Sequence, residues 1–325
     1  MLVNEASDGQ AQLWRLVTKR GKAIVPLGGS GDGLPFYCVH SIGGEVTSLR
    51  RLAQVLGADR HVYGIQVPRD KLGGEFGASV HAIAECYADL LTAFQPEGPF
   101  LLGGWSAGSV IALETAQILR KRGREVSLLV VLDGLLRNSG GGMSAWNPLY
   151  QLKLVRNVPR WFSAKVAAGW RARDFAVHMR RRAAALAASL FGRLSGASPG
   201  AAADAFLDMS GWPRDQTEFA AALYAALEVY RPEPYDGRVL VYAAITEPLF
   251  NLSQVIATWS KIANVVESKT VEGTHVTMIG EPHVTGLAAD LRKRMAALVP
   301  AAAREFAYHT PAKELKLAAR PATAV

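Results

Sequence analysis

Between residues 34 and 137 the chain alternates short apolar runs with amphipathic stretches of helical period. "PFYCVH" (35–40), "HVYGIQV" (61–67), "PFLLGG" (99–104) and "SLLVVLD" (127–133) predict strands. "VTSLRRLAQVLG" (46–57), "SVHAIAECYADLLTAFQ" (79–95) and "SAGSVIALETAQILRKRG" (106–123) predict helices between them. Strands that are apolar on both faces and separated by helices imply a mostly parallel sheet covered on both sides. After "NSGGG" (138–142) the alternation stops. Residues 145–230 read as helix with interruptions such as "SGASPGAAADA". Strands resume in "GRVLVYAAI" (237–245) and "VVESKTVEG" (265–273), with helices "LSQVIATWSKIA" (252–263) and "VTGLAADLRKRMAALV" (284–299) beside them. The expected organisation is a leader over 1–33 with a possible edge strand, an α/β core over 34–137 and 231–300, a helical insertion over 138–230, and a flexible tail over 301–325.

Composition narrows the setting. At 325 residues and 50% hydrophobic, the chain can bury one large core. Cys38 in a strand pattern and Cys86 in a helical one read as buried thiols, two being too few for a disulfide framework. The segment "MLVNEASDGQ" lacks the basic and apolar regions of a secretory signal, and no apolar stretch reaches the roughly 18 residues of a membrane span. A cytoplasmic protein is therefore expected.

The net charge of +8 is concentrated. Residues 148–195 carry ten Lys or Arg against one acid, Asp174, so the remainder is close to neutral. A nucleic-acid binder would more often be basic around a recognisable reading motif, and none is present.

The chemistry is expected at Gly104-Trp105-Ser106-Ala107-Gly108. The Gly-x-Ser-x-Gly spacing is common enough to arise by chance, but here a strand precedes it and a helix follows. In that context small residues permit a tight elbow that lifts the serine Oγ above the sheet, with the N–H of Ala107 at the helix start facing a developing oxyanion. A serine needs a base, and on this fold the order is serine, acid, histidine. His275 follows a strand in a Gly-containing loop, where a base would sit. His283 follows Pro282 at a helix start, where the helix dipole disfavours an imidazolium, and His309 lies in the tail. For the acid, Asp133 ends one core strand and Glu247 follows the next, and spacing leaves them even. No His/Cys/Asp cluster has metal-ligand spacing, so no metal is expected.

These residues resemble the type I thioesterase domains that terminate nonribosomal peptide and polyketide synthases, a branch of the α/β-hydrolase superfamily. "PFYCVHSIGGEV" resembles that family's first core strand and oxyanion loop, and "HVYGIQ" its next strand. "YADLLTAFQPEGPFLLGGWSAGSVIALETAQIL" resembles its helix, strand and elbow, and "GTHVTMIGEPHVTGLA" its histidine loop and last helix. The resemblance runs from about residue 34 to 292, outside the insertion. It implies Asp133 as the acid, with Glu247 the alternative, His275 as the base, and the N–H of Ile42 as a second oxyanion donor. Two departures stand out: Ser41 replaces a proline of the loop, which puts its rigidity in question, and Ser109 replaces a frequent third glycine, which would narrow the elbow.

The implied reaction is attack by Ser106 on a thioester carried by the phosphopantetheine arm of an acyl or peptidyl carrier protein, with no permanently bound cofactor. The acyl-serine would be released by hydrolysis or cyclisation. The insertion falls where this family carries a lid, and Trp161, Phe162 and Trp170 are its candidate substrate contacts. Its arginines would meet an acidic carrier, although an aromatic stripe with a solvated basic face, or an interfacial membrane helix, reads from the same pattern. A carboxylester hydrolase or lipase would use the same triad. A noncatalytic binding protein on this fold would be expected to have lost part of it. The initial methionine and short polar leader suggest a free-standing protein, although an excised synthase domain would look similar.

Overall fold

A computed structural model describes residues 23–31, 33–136, 148–167, 169–177, 179–180, 211–247 and 255–299. The strands are β1 (Ile24–Gly28), β2 (Gly33–Val39), β3 (Arg60–Ile65), β4 (Phe100–Trp105), β5 (Val126–Leu132), β6 (Tyr235–Thr246) and β7 (Ala263–Thr274). They form one sheet in the order β1-β3-β2-β4-β5-β6-β7. Only β1 is antiparallel, pairing with β3 through Ile24 opposite Ile65 and Val25 opposite Gly64. The other pairs are parallel. This is the α/β-hydrolase architecture, and β1 lies at one edge of it.

The near-continuous apolar runs are explained by burial on both faces. Along β4 and β5 successive residues alternate between two cores: Leu102, Leu129 and Val131 point into one, and Leu101, Leu128 and Val130 into the other. Helices α2 (Val80–Phe94) and α3 (Ala107–Lys121) cover the first face with Ile83, Tyr87, Ile111 and Leu113, all inaccessible to solvent. Helices α1 (Arg50–Leu56) and α7 (Val284–Leu298) cover the second through Leu52, Leu56, Leu287 and Leu291. Removing one such leucine to alanine is worth about 2–5 kcal/mol. Ser79 caps α2 by accepting from the Ala82 N–H at 3.1 Å, which fixes where that helix starts.

Between β5 and β6 lie helices α4 (Pro148–Ala167) and α5 (Arg214–Val229), with a short helical segment over 172–177. Helix α5 packs onto the first core with Phe219 and Leu223, so part of the insertion belongs to the body. The helix predicted over 252–263 is shorter where it is described: α6 runs Val255–Trp259. The apolar Ile262 continues the helical spacing, but its carbonyl accepts from the Tyr235 N–H at 2.6 Å. Pairing at the sheet edge therefore ends the helix early. The tail and residues 181–210 of the insertion lie outside the described residues.

Candidate active site

Strand β4 ends at Trp105 and α3 begins at Ala107, which leaves Ser106 to make the whole turn. Its φ of 59° and ψ of −125° are strained for a residue with a side chain. The flanking glycines are required by contact. A Cβ on Gly104 would lie 2.1 Å from the Gly108 carbonyl oxygen, and one on Gly108 would lie 2.2 Å from that of His40. Ser109 does more than narrow the elbow: it is fully buried and its Oγ donates to the Gly104 carbonyl at 2.6 Å, tying strand to helix. There is room for it because position 134 is glycine, where a Cβ would lie 2.4 Å from Ser109 Oγ.

Three side chains from distant parts of the chain meet at this turn. Ser106 Oγ lies 2.8 Å from His275 Nε2, and His275 Nδ1 lies 2.8 Å from Asp133 Oδ2. A carboxylate is a pure acceptor, so Nδ1 carries the proton and Nε2 is left to accept from the serine hydroxyl. Asp133 is nearly buried and is itself held: its Oδ1 accepts from the Ala244 N–H at 3.0 Å, and its own N–H donates to the Tyr242 carbonyl at 2.8 Å. Its φ of 51° turns the side chain out of β5 toward the histidine. Trp105 lies under the imidazole, with ring centroids 5.3 Å apart and planes 25° from parallel, and its indole N–H donates to the His275 carbonyl at 3.1 Å.

The opposite wall is the loop from His40 to Gly44. His40 is fully buried, and desolvation lowers its pKa to about 4. Its neutral Nδ1–H donates to the Ser41 carbonyl, and Nε2 accepts from the Tyr87 hydroxyl at 2.7 Å. The same Ser41 carbonyl takes the Gly44 N–H at 3.1 Å, while Gln216 of α5 donates to the Gly43 carbonyl at 2.9 Å. These bonds supply the restraint that a proline at position 41 would have given. Ile42 lies within this loop, and Ala107 is the first residue of α3, whose first-turn N–H groups have no partner inside the helix.

The remaining predicted residues lie apart from this cluster. Glu247 faces α4 instead of His275: its backbone N–H and C=O pair with the buried Asn157 amide at 2.9 and 2.8 Å, and its carboxylate is 3.9 Å from Lys153 Nζ. Burial, with Asp133 nearby, raises its pKa to about 7. His283 precedes α7. Trp161, Phe162 and Trp170 gather around Phe175, at 5.9, 4.8 and 5.3 Å respectively. Burial pushes the Cys38 thiol up to about 12 and also raises that of Cys86. The contributions of Trp105, His40, Tyr87, Gln216 and Asn157 were not foreseen. Trp105 sat inside the motif as an unassigned position, and the others carry no signal of period or spacing.

A serine on a strained strand-to-helix turn at the carboxyl edge of a mostly parallel sheet, hydrogen-bonded to a histidine and through it to an aspartate, is the site geometry of the serine class of α/β hydrolases. Within that class, residues 35–154, from β2 into α4, match the thioesterase domain family. Chondramide synthase cmdD of Chondromyces crocatus is 28% identical over 285 residues, which is 84% of this chain and 7% of that synthase. A dimodular nonribosomal peptide synthase of Bacillus subtilis is 36% identical over 110 residues, 34% of this chain and 5% of that protein. The chain thus spans a small fraction of the length of these relatives. Among solved structures, the NocB thioesterase domain of the nocardicin cluster superposes with a TM-score of 0.52 at 22% identity, covering 82% of this chain and 95% of that domain. Among the described residues no helix is long and apolar enough to cross a membrane, and no group of three or more His, Cys, Asp or Glu is placed to hold a metal ion.

Proposed function

We propose that this protein is a thioesterase that takes an acyl, peptidyl or polyketide chain from the phosphopantetheine thioester of a carrier protein onto Ser106, and then releases it by hydrolysis or cyclisation. The observation that carries this reading is the unbroken path Ser106–His275–Asp133 inside a stretch that matches the thioesterase family. His275 Nε2 removes the serine proton as Oγ attacks the thioester carbon. Asp133 holds the imidazole in the productive tautomer and balances the imidazolium that forms. The N–H groups of Ile42 and Ala107 receive the oxyanion, each worth about 2.7–4 kcal/mol. The imidazolium then protonates the departing thiolate, and water or a nucleophile within the chain resolves the acyl-serine.

Helix α4 and the residues from it to 180 act as a lid over this site. The residues after α4 expose Arg171, Arg173 and Arg180. Such a surface suits the acidic face of a carrier protein and would speed its encounter. The match to synthase relatives favours a thioester over the oxoester that the same triad could cleave. Reaction with a fluorophosphonate probe, followed by turnover of an acyl-pantetheine thioester beside a matched oxoester, tests the reading. Labelling at Ser106 with preference for the thioester supports it, whereas preference for the oxoester contradicts it.

A further inference from the structure

One cavity outside the catalytic cluster is built from both the body and the lid. It has a volume of about 520 Å³ and lies where α4 crosses the carboxyl ends of β6 and β7, next to α6. That is within the size range of small-molecule sites. Its apolar lining includes Ala243, Ile245 and Ile256, while α4 contributes Lys153, Arg156 and Arg160. At spacings of three and four residues these cations share one helix face with Asn157. Asn157 is buried and its two hydrogen bonds to the Glu247 backbone pin that face against the end of β6.

Charge in this cavity is not balanced. Among the described residues of the lining Glu247 is the one carboxylate, and it pairs with Lys153. Among the described residues neither Arg156 nor Arg160 has an ion-pair partner. The burial that raises the Glu247 pKa to about 7 leaves this carboxylate partly neutral at that pH, so it offsets the cations only in part. The cavity also adjoins the catalytic relay, because Ala244 in its wall donates the N–H that Asp133 Oδ1 accepts.

We propose that this cavity is an acyl-chain subsite that selects chains bearing an anionic group, a carboxylate above all, remote from the thioester. Arg156 and Arg160 grip the anion, and the apolar lining takes the methylenes leading to it. The proposal rests on the thioesterase reading and names its substrate class. A planar guanidinium suits this role, since it can present two N–H groups to one carboxylate.

Binding tests the subsite separately from turnover. In the full-length Ser106→Ala protein, affinities for the N-acetylcysteamine thioesters of octanoate and octanedioate are compared by calorimetry, with and without Arg156→Ala and Arg160→Ala. The expected result is tighter binding of the carboxylated chain by about ten- to hundredfold, a preference that falls toward unity in the double arginine variant and partly returns with lysine at both positions. No preference in the parent, or one that survives loss of both arginines, overturns the proposal. The same chains on phosphopantetheine separate the sources of anion. If the arginine changes weaken both chains equally there, and neither on N-acetylcysteamine, the cavity holds the phosphate of the arm and the proposal is wrong. Turnover of these thioesters by the parent enzyme is read independently: an intact preference without turnover would sink the thioesterase reading and leave the subsite standing.

Discussion

Trp105 grips His275 at two points: its ring stacks on the imidazole at 5.3 Å, and its N–H donates to the histidine's own carbonyl at 3.1 Å. Trp105, the residue before Ser106, therefore fixes the position of the His275 ring. Trp105→Phe keeps a stacking ring and removes the donor, so kcat is expected to fall by up to about tenfold, the worth of one hydrogen bond. Trp105→Ala removes both contacts and is expected to cost more. A kcat that falls while KM and the unfolding midpoint change little marks positioning, whereas parallel loss of all three marks general loss of structure.

His40 makes the loop over 40–44 sensitive to acid. Its pKa of about 4 in the fold lies below the value near 6.5 of a free histidine. Stability is therefore full above about pH 6.5 and is lost as pH falls from there toward 4, by up to about 3 kcal/mol. His40→Asn removes the titration. It is expected to be less stable at pH 7 but to lose less between pH 7 and 4.5, as thermal unfolding at the two pH values will show. Equal losses would contradict this origin.

Glu247 behaves in the opposite sense. Its pKa of about 7 is raised above the ordinary carboxylate value, so its burial costs nothing in acid and an increasing amount as pH rises from about 4.5 through 7. Glu247→Gln should gain about 1–2 kcal/mol over the parent at pH 8 and close to nothing at pH 4, given the hydration and the lysine that the carboxylate retains. Its kcat should stay within a few-fold of the parent. Asp133→Asn, which presents the wrong partner to His275 Nδ1, should lose about 10⁴ in kcat.

Ser109 and Gly134 are coupled by contact. Gly134→Ala places a methyl about where the Ser109 side chain lies, with Cβ 2.2 Å from Cβ. It should be strongly destabilising alone and milder beside Ser109→Gly. A double-mutant cycle on denaturant unfolding should give a coupling of at least about 1 kcal/mol. Additive effects would show that the backbone near Ser106, not Ser109, sets the limit.

Strands, helices and elbow were legible because two-face burial and helical period leave direct marks on sequence, as in the alternation of Leu101, Leu102, Leu128 and Leu129 between cores. The carboxylate that meets His275 was not separable by spacing. Asp133 and Glu247 both stand at the ends of adjacent core strands, and what distinguishes them is a backbone turn at φ 51° and the N–H of Ala244, neither of which has a sequence signature. The aromatics of α4 were visible as a stripe, but not their packing around Phe175, since helical spacing does not say what faces the helix. Ile262 shows the same ambiguity: its apolar side chain fits a helix, and sheet pairing claims its backbone.

The proposed reaction depends first on Ser106 taking the acyl group from a thioester. Mass spectrometry of the protein, quenched soon after mixing with an acyl-pantetheine thioester, tests it most directly. The expected result is one acyl mass on the peptide containing Ser106, release of an equal amount of free thiol, and neither in Ser106→Ala. Acylation at another residue, or thioester cleavage by Ser106→Ala at the parental rate, would contradict it.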